Sequence, residues 1–375
     1  MHLASEFAHR IDASLRAAFA DTPSPHLVEE TLRLAGLLHD VGHGPFGHFY
    51  DQEVLARWHI DHEVIGRHLV THQLSDHIAS VRASPSGPFE GDERIDPMWV
   101  AWVMADTDIE GYVPPAWLHA LKPILCGPAT VDNLDYVPRD AYMCGISLGP
   151  VEVQRLIHYT FVGDGMLVLH GHAVAALEMF LASRLYMYLN VYHHRTGRRF
   201  DLAMHEVFAD TIDELLPGNP LNNIDEYLPL TDWCVLEAVQ RWQRRPASDK
   251  QRILASAWAR IMRRDLAWQL AYETVVHRGM DTSNLRDRVV AALPRGFAPR
   301  VEVDVATARI APHNPMTEHG FVSIYDPLQE TVEQARINEL VQRLPQYNQL
   351  VRVFTDDASS LEMVRDSARR ALKNG

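Results

Sequence analysis

The ten residues 39–48, with the sequence HDVGHGPFGH, constrain the fold more than any other part of this chain. They follow a segment whose apolar residues recur at steps of three and four, as on one face of an α-helix: Leu27, Val28, Leu32, Ala35 and Leu38. Gly42, Gly44 and Pro45 then come in quick succession, and such residues end helices and favour turns. The pattern therefore predicts a helix that ends near Gly42 and a sharp turn rich in histidine.

The residue types in this turn suit a metal ion. Adjacent residues on a regular helix point about 100° apart, so His39 and Asp40 would not share a target in mid-helix. At a helix end that breaks into a turn, they can converge on one cation. Imidazole suits Zn, Fe, Ni or Mn, and a carboxylate adds a hard oxygen ligand. The glycines let the backbone turn back, so that His43 and His48 line the same cavity.

Composition narrows the class of protein. The chain has 375 residues, of which 47% are hydrophobic and 22% charged, values that are ordinary for a soluble globular protein. A net charge of -14 argues against general binding to nucleic acid or to an anionic membrane, but leaves room for a small anionic substrate. The three cysteines are not spaced like metal ligands or like a redox pair. The apolar segments are too short to span a bilayer, and no signal peptide is recognisable. We therefore expect a cytoplasmic protein.

The hydrophobic pattern changes along the chain. Residues 1–293 are mostly helical in character, whereas 294–375 mix strand and helix patterns, which predicts a mainly α protein with a small C-terminal α/β region. Predicted strands cover Arg300–Ile310, Phe321–Tyr325 and Leu350–Phe354. Predicted helices include His172–Arg195, one that Asp232 caps, Thr331–Leu344 and Ser359–Leu372.

The His39-Asp40 pair and the run His-Gly-Pro-Phe-x-His that follows it resemble the HD-domain superfamily of metal-dependent phosphohydrolases. More narrowly, the sequence resembles the deoxynucleoside triphosphate triphosphohydrolase branch, because many other HD phosphodiesterases carry a lysine where His43 stands. The resemblance covers a catalytic core of about 1–245 by motif, within a helical bundle that extends to 293. The C-terminal region matches more loosely.

The resemblance implies a role for each of twelve residues. The metal ligands are His39, Asp40 and Asp132, and the ion is Mn, Mg, Fe, Ni or Zn. The catalytic residues are His43, His48, Asp51 and His62. The residues that bind the substrate are Tyr136, Asp140, Arg184, Tyr192 and Arg195.

Without the resemblance, several of these residues have plainer interpretations. His62 would be a surface residue, and the Asp-rich run 132–140 would be a helix cap with a solvated face. Arg184 and Arg195 would extend over the surface of an amphipathic core helix. If one helix carries both arginines, they share a face and lie about 16 Å apart along its axis.

The sequence also departs from the family. The first histidine ligand of relatives would fall upstream of Met1, and His2 lies on another helix face. We expect either that the natural protein begins further upstream or that this is a degenerate member that binds metal poorly. Asn133 stands where relatives commonly carry a basic residue, and His193 where they often carry Gln.

The resulting hypothesis is metal-assisted hydrolysis of a (deoxy)nucleoside triphosphate to nucleoside and triphosphate. In this scheme His48 protonates the departing 5′-oxygen, while Asp51 and His62 orient the His48 side chain. A homo-oligomer is expected from the resemblance. Two alternatives stay open: a different HD phosphohydrolase, such as a nucleotide phosphatase or phosphodiesterase, or a catalytically weakened nucleotide-binding regulator.

Overall fold

The computed structural model describes residues 1–276, 283–309, 321–336 and 347–373. The chain divides into two compact units, each built from separate stretches of sequence. The first unit contains Met1–Gly42, His62–Met187 and the described part of Arg309–Gln346. The second contains His43–Asp61, the described parts of Tyr188–Ala308, and the described part of Tyr347–Gly375. The predicted boundary near residue 293, between a helical part and a C-terminal α/β part, stays a prediction.

Helices make up most of both units. In chain order, the described α-helices are α1 (His2–Ala18), α2 (Pro25–Leu38), α3 (His48–Glu53), α4 (His62–Thr71), α5 (Ser75–Ser80), α6 (Pro97–Val103), α7 (Ala116–Leu121), α8 (Pro123–Cys126), α9 (Val131–Met143), α10 (Val153–His158), α11 (Val174–Met187), α12 (Arg195–His205), α13 (Phe208–Leu215), α14 (Ile224–Tyr227), α15 (Asp232–Arg244), α16 (Asp249–Met262), α17 (Leu285–Ala291) and α18 (Leu361–Lys373).

The strands of the described residues form three small sheets. They are β1 (Ala83–Ser84), β2 (Gly87–Pro88), β3 (Thr160–Gly163), β4 (Met166–His170), β5 (Gln269–Val276), β6 (Val301–Arg309), β7 (Phe321–Asp326), β8 (Thr331–Arg336) and β9 (Tyr347–Thr355). In the first unit, β1 and β2 form a short hairpin, and a second sheet has the order β3-β4-β7-β8. Its β4 and β7 are parallel, and its other pairs are antiparallel.

The second unit contains a three-stranded sheet with β9 at its centre, in the order β5-β9-β6. Val351 and Val353 of β9 are fully buried, and they pack in one apolar core with Val289 of α17 and Val364 of α18. Successive residues of a strand face opposite sides of the sheet, so Val351 and Val353, which are two residues apart, face the same side and pack on the helices.

The mainly α prediction is confirmed, and the sheets mean that the chain is not entirely α-helical. The predicted strands correspond to β6, β7 and β9, and the predicted last helix corresponds to α18. The helix predicted over Thr331–Leu344 is wrong for 331–336, which form β8 on the edge beside β7; residues 337–344 lie outside the described part. Thr331 and Val332 favour an extended backbone, and pairing with β7 outweighs the helical preference of the residues that follow.

The long helix predicted over His172–Arg195 is confirmed for Val174–Met187 and is wrong as a single helix beyond Met187. It is α11 only as far as Met187; Tyr188–Tyr192 then form a π-helical turn, and α12 starts at Arg195. A π-helical turn places an extra residue in the backbone and changes the direction in which later side chains point. Among the described helices, none is both long and apolar enough to cross a membrane.

Candidate metal centre and catalytic residues

The end of α2 positions the His-Asp pair. The Ser24 hydroxyl caps the start of the helix by accepting a hydrogen bond from the Leu27 amide at 3.4 Å, and Pro25 occupies the first turn. The helix ends at Leu38, and His39 keeps helical backbone angles. The chain then turns so tightly at Gly42 that an added Cβ would overlap the His62 carbonyl oxygen and the Gly66 amide nitrogen of α4. The absence of a side chain at Gly42 therefore lets the turn lie against α4.

His39, Asp40 and Asp132 come together in the first unit. The Nε2 atom of His39 lies 3.3 Å from an Asp40 carboxylate oxygen and 3.5 Å from an Asp132 carboxylate oxygen. Ligands held at about 2.0–2.2 Å from one cation are separated by about 2.8–3.6 Å at octahedral or tetrahedral angles. Both measured distances fall in that range.

The burial of these side chains fits a metal site as well. The His39 side chain is 24% exposed, and both of its ring nitrogens are buried. An imidazole next to two carboxylates is a donor set that suits a divalent cation.

The electrostatics of His39 follow from the same geometry. Burial alone would lower the pKa of this imidazole, but the nearby carboxylates of Asp132 and Asp40 outweigh it, and the pKa is raised. The two carboxylates thus create a negative potential at the imidazole. A divalent cation would be attracted to the same point.

Helix α9 presents Asp132 together with two predicted substrate contacts. Thr130 caps the helix by accepting a hydrogen bond from the Asn133 amide at 3.0 Å, which places Asp132 in the first turn. Tyr136 and Asp140 follow at steps of four, so the three side chains lie along one face of the helix. All three are partly exposed. The predicted metal ligand and the predicted sugar contacts therefore share a surface.

The turn that continues the motif belongs to the second unit and has a strained backbone. Phe46 has a φ of 66° and Gly47 a φ of 58°, and the left-handed region is unfavourable for a bulky residue such as Phe46. The Phe46 amide donates a hydrogen bond of 2.6 Å to Asp232, and the Phe46 ring packs edge-on against Phe208 at 5.5 Å between centroids. These contacts hold the turn in place directly before His48, the first residue of α3.

His43, His48 and Asp51 form a second cluster, within the second unit. The Nδ1 atom of His48 lies 3.3 Å from an Asp51 carboxylate oxygen, and that of His43 lies 3.7 Å from the same oxygen. The two imidazole rings meet edge to face at 4.7 Å. The His48 side chain is 75% exposed, whereas that of Asp51 is 13% exposed. A buried carboxylate thus orients an exposed imidazole.

The remaining predicted residues are divided between the units. His62 is the first residue of α4, and Arg184 is buried in α11, both in the first unit. Tyr192 ends the π-helical turn and Arg195 begins α12, both in the second unit. The prediction that Arg184 and Arg195 share one helix face is therefore wrong.

Asp232 has a role that the sequence did not reveal. It was predicted to cap α15, but Thr231 is the cap, because its hydroxyl accepts a hydrogen bond from the Cys234 amide at 3.4 Å. Asp232 instead accepts the hydrogen bond from Phe46, which lies 186 residues earlier in the chain. No local pattern can predict a contact over that separation.

Comparisons with known proteins agree with the motif. Residues 1–109 match the model of the HD domain, and residues 151–318 match that of the HD associated region. An uncharacterized protein, YwfO of Bacillus subtilis, is 24% identical over 62% of this chain and 51% of its own length. A Dictyostelium discoideum protein named "Deoxynucleoside triphosphate triphosphohydrolase SAMHD1 homolog" is 22% identical over 100% of this chain and 70% of its own length.

A solved structure supports the fold. A hypothetical protein from Aquifex aeolicus superposes with a TM-score of 0.68 at 21% identity, over 98% of this chain and 84% of that one. This chain spans about half the length of YwfO. HD domains are metal-dependent, and the His and Asp cluster that includes His43, His48 and Asp51 is compatible with metal binding, so the predicted divalent-metal cofactor is confirmed without the identity of the metal. The chain contains an HD domain, followed by an HD-associated region.

Proposed function

We propose that this protein hydrolyses (deoxy)nucleoside triphosphates to nucleoside and triphosphate in a metal-dependent reaction. The observation that carries the proposal is the position of His39 Nε2, which lies 3.3 Å from an Asp40 carboxylate oxygen and 3.5 Å from an Asp132 carboxylate oxygen, distances that ligands of one cation have. The name of the Dictyostelium relative, which matches along this whole chain, supports the choice of a nucleoside triphosphate as substrate.

The metal ligands would be His39, Asp40 and Asp132. When bound there, a divalent cation supplies Lewis-acid chemistry: it polarises a phosphate oxygen and lowers the pKa of coordinated water. Three protein donors leave coordination positions for water and phosphate.

The substrate would be held by residues that the resemblance assigns. Tyr136 and Asp140, on the same helix face as Asp132, would contact the sugar. Arg184, Arg195 and Tyr192 would contact the triphosphate and sugar, with each guanidinium offering several donors to phosphate oxygens.

His48 would protonate the 5′-oxygen as it leaves, Asp51 and His62 would orient His48, and His43 would hydrogen-bond the phosphate. Asp51 lies on the Nδ1 side of the His48 ring at 3.3 Å, so this carboxylate can accept a hydrogen bond from Nδ1 and leaves Nε2 as the atom that would deliver the proton. An exposed imidazole held by a buried carboxylate is suited to deliver a proton to a bound phosphoester.

Product analysis tests the proposal. The purified protein is incubated with dGTP or dATP and Mn²⁺, and the products are separated by ion chromatography. The proposal predicts deoxynucleoside and tripolyphosphate in equal amounts. Pyrophosphate or monophosphate would instead indicate another HD phosphohydrolase, and binding without turnover would indicate a nucleotide-binding regulator.

Substitution of His48 tests the assignment of the acid. His48→Ala is expected to lower the rate by about 10²- to 10⁴-fold while the metal content stays the same. His77→Ala, at an exposed position of α5, is the matched control and should keep full activity. Wild-type activity in His48→Ala would remove this residue from the mechanism.

We further propose, from the resemblance alone, that the protein is a homo-oligomer, and from the spacing of its three cysteines, which suits free thiols, that it is cytoplasmic. Light scattering measures its mass in solution. A mass equal to the 42.6 kDa of a single chain would contradict the oligomer.

A further inference from the structure

A cavity of about 410 Å³ lies inside the first unit. Helices α1, α9, α10 and α11 contribute to one part of its wall, and strands β4, β7 and β8 contribute to another. All of the residues that line it belong to the first unit.

The deep wall of the cavity is apolar. Phe7, Leu134, Leu156, Leu177 and Val168 line it, and each of them is at least 96% buried. Among the described residues that line the cavity, none carries a carboxylate, an ammonium or a guanidinium group. Burial of a charge without a partner is very costly, so a charged ligand would find no compensation here.

The buried Thr160 hydroxyl donates a hydrogen bond to the Leu156 carbonyl oxygen at 2.8 Å, and the other polar side chains lie where the wall is more exposed. His119 and Gln334 are exposed, and Ser323 is half-buried. The Gln334 amide makes a long N–H···S contact of 3.9 Å to Met166. Such a contact is weak, so the amide can turn to hydrogen-bond a ligand at little cost.

The size of the cavity argues against a packing defect. Protein interiors are packed as densely as organic crystals, and the few voids in them are mostly close to the size of a water molecule. A volume of about 410 Å³ lies within the range of about 300–1,000 Å³ that is typical of small-molecule sites.

We propose that this cavity binds a neutral, largely apolar small molecule whose single polar group hydrogen-bonds to the Gln334 amide. The wall supplies the apolar contacts, and the lack of charge in the wall selects against ionic ligands. This inference does not rest on the proposed hydrolase activity, because none of the proposed catalytic, metal-binding or substrate-binding residues lines the cavity.

The test uses N-phenyl-1-naphthylamine, a neutral apolar probe whose fluorescence rises in apolar surroundings. The wild-type protein is titrated with the probe, and saturable binding at about one site per chain is expected. Competition with 1-octanol and with octanoate then compares a neutral and an anionic ligand that share the same chain. Octanol should displace the probe at lower concentration than octanoate.

Two substitutions on the same helix give a matched comparison. Leu177→Trp places a large ring in the cavity, whereas Met179→Trp places the same ring at a position that is 46% exposed. The probe should bind at least about tenfold more weakly to Leu177→Trp and within about twofold of wild type to Met179→Trp. Circular dichroism confirms that each variant folds, and Leu156→Phe replaces Leu177→Trp if that variant does not.

Several results would overturn the proposal. These are the absence of saturable binding, equal binding by the two tryptophan variants, and stronger competition by octanoate than by octanol. Binding that falls as the protein concentration rises would show that a second copy of the chain covers the cavity, which also contradicts a small-molecule site.

Discussion

Gly42→Ala tests whether close backbone packing fixes the turn that carries His39 and Asp40. Within the first unit, a Cβ at position 42 would overlap the His62 carbonyl oxygen and the Gly66 amide nitrogen, and it would lie 2.9 Å from the Gly66 Cα. All three atoms are backbone atoms near the start of α4. A flexible side chain could rotate away from such an overlap, but a helical backbone has to shift as a whole.

The size of the effect follows from that geometry. Overpacking in a core typically costs about 1–3 kcal/mol, because neighbouring groups can partly adjust. Here the neighbours are peptide groups, so we expect the upper end, about 3 kcal/mol or more. For a cooperative unit of about 200 residues, this corresponds to a fall in the unfolding temperature of roughly 6–12 °C.

Thermal unfolding followed by circular dichroism measures this change. Gly197→Ala is the matched control, since Gly197 lies within α12 and an added Cβ would have no neighbour within 4 Å. Alanine is better than glycine in a helix interior, so this control should gain up to about 1 kcal/mol. If Gly42→Ala unfolds within about 2 °C of the wild type, the close packing inferred at Gly42 is wrong.

Three further substitutions test the packing and electrostatics of the chain. Burial alone would raise the pKa of Glu29, but hydrogen bonds from nearby hydroxyls and a histidine outweigh burial and lower the pKa from 4.5 to about 2. The ionised group therefore stabilises the fold above pH 4.5, and this contribution is lost as the pH falls toward 2. Glu29→Gln should therefore lose roughly 3 kcal/mol in urea unfolding at pH 7, and much less at pH 3. Asp304→Ala should cost about 1–3 kcal/mol, because Arg198 loses the buried carboxylate that it binds at 2.8 Å and keeps its ion pair with Asp201. Asp232→Ala removes the acceptor of the Phe46 amide and should cost about 1–2 kcal/mol, measured in the same way.

Surface substitutions serve as controls for these variants. Glu237→Gln changes an exposed carboxylate, and its stability should stay within about 0.5 kcal/mol of the wild type. Asp249→Ala removes an exposed ion pair with Arg252 and should cost less than about 1 kcal/mol. A pH-independent effect of Glu29→Gln, or equal losses in Asp304→Ala and Asp249→Ala, would contradict the burial argument.

The sequence predicts the part of the site that depends on local signals. The apolar face of α2 and the glycines after it specify a helix end at the His39-Asp40 pair, and the structure has one there. The convergence with Asp132 was not evident from spacing, because more than 90 residues separate the two segments. It was predicted only through the resemblance to a known family.

The sequence also carries a strong local signal for the hairpin of β3 and β4. Strands β3 and β4 pair directly across Asp164 and Gly165, which have φ values of 51° and 73°. An Asp-Gly pair between apolar segments is a typical signal for a two-residue hairpin turn. The hairpin was therefore predictable, and it provides the strand on which β7 docks.

Other features depend on tertiary contacts. Residues 172–195 contain neither glycine nor proline, so the sequence gives no local signal for the π-helical turn at Tyr188–Tyr192. The positive φ of Phe46 has no sequence signal either, since it is held by Asp232 and by aromatic packing. Long-range contacts of this kind override local preferences.

The metal content of variants of α9 tests the central claim most directly. Each protein is loaded with Mn²⁺, passed through a desalting column and analysed for metal by mass spectrometry. Asp132→Asn removes a proposed ligand, whereas Asp135→Asn changes an exposed carboxylate one turn further along the same helix. The account predicts that Asp135→Asn keeps the wild-type metal content and that Asp132→Asn loses most of it. Equal metal content in the two variants would contradict a metal centre at His39, Asp40 and Asp132.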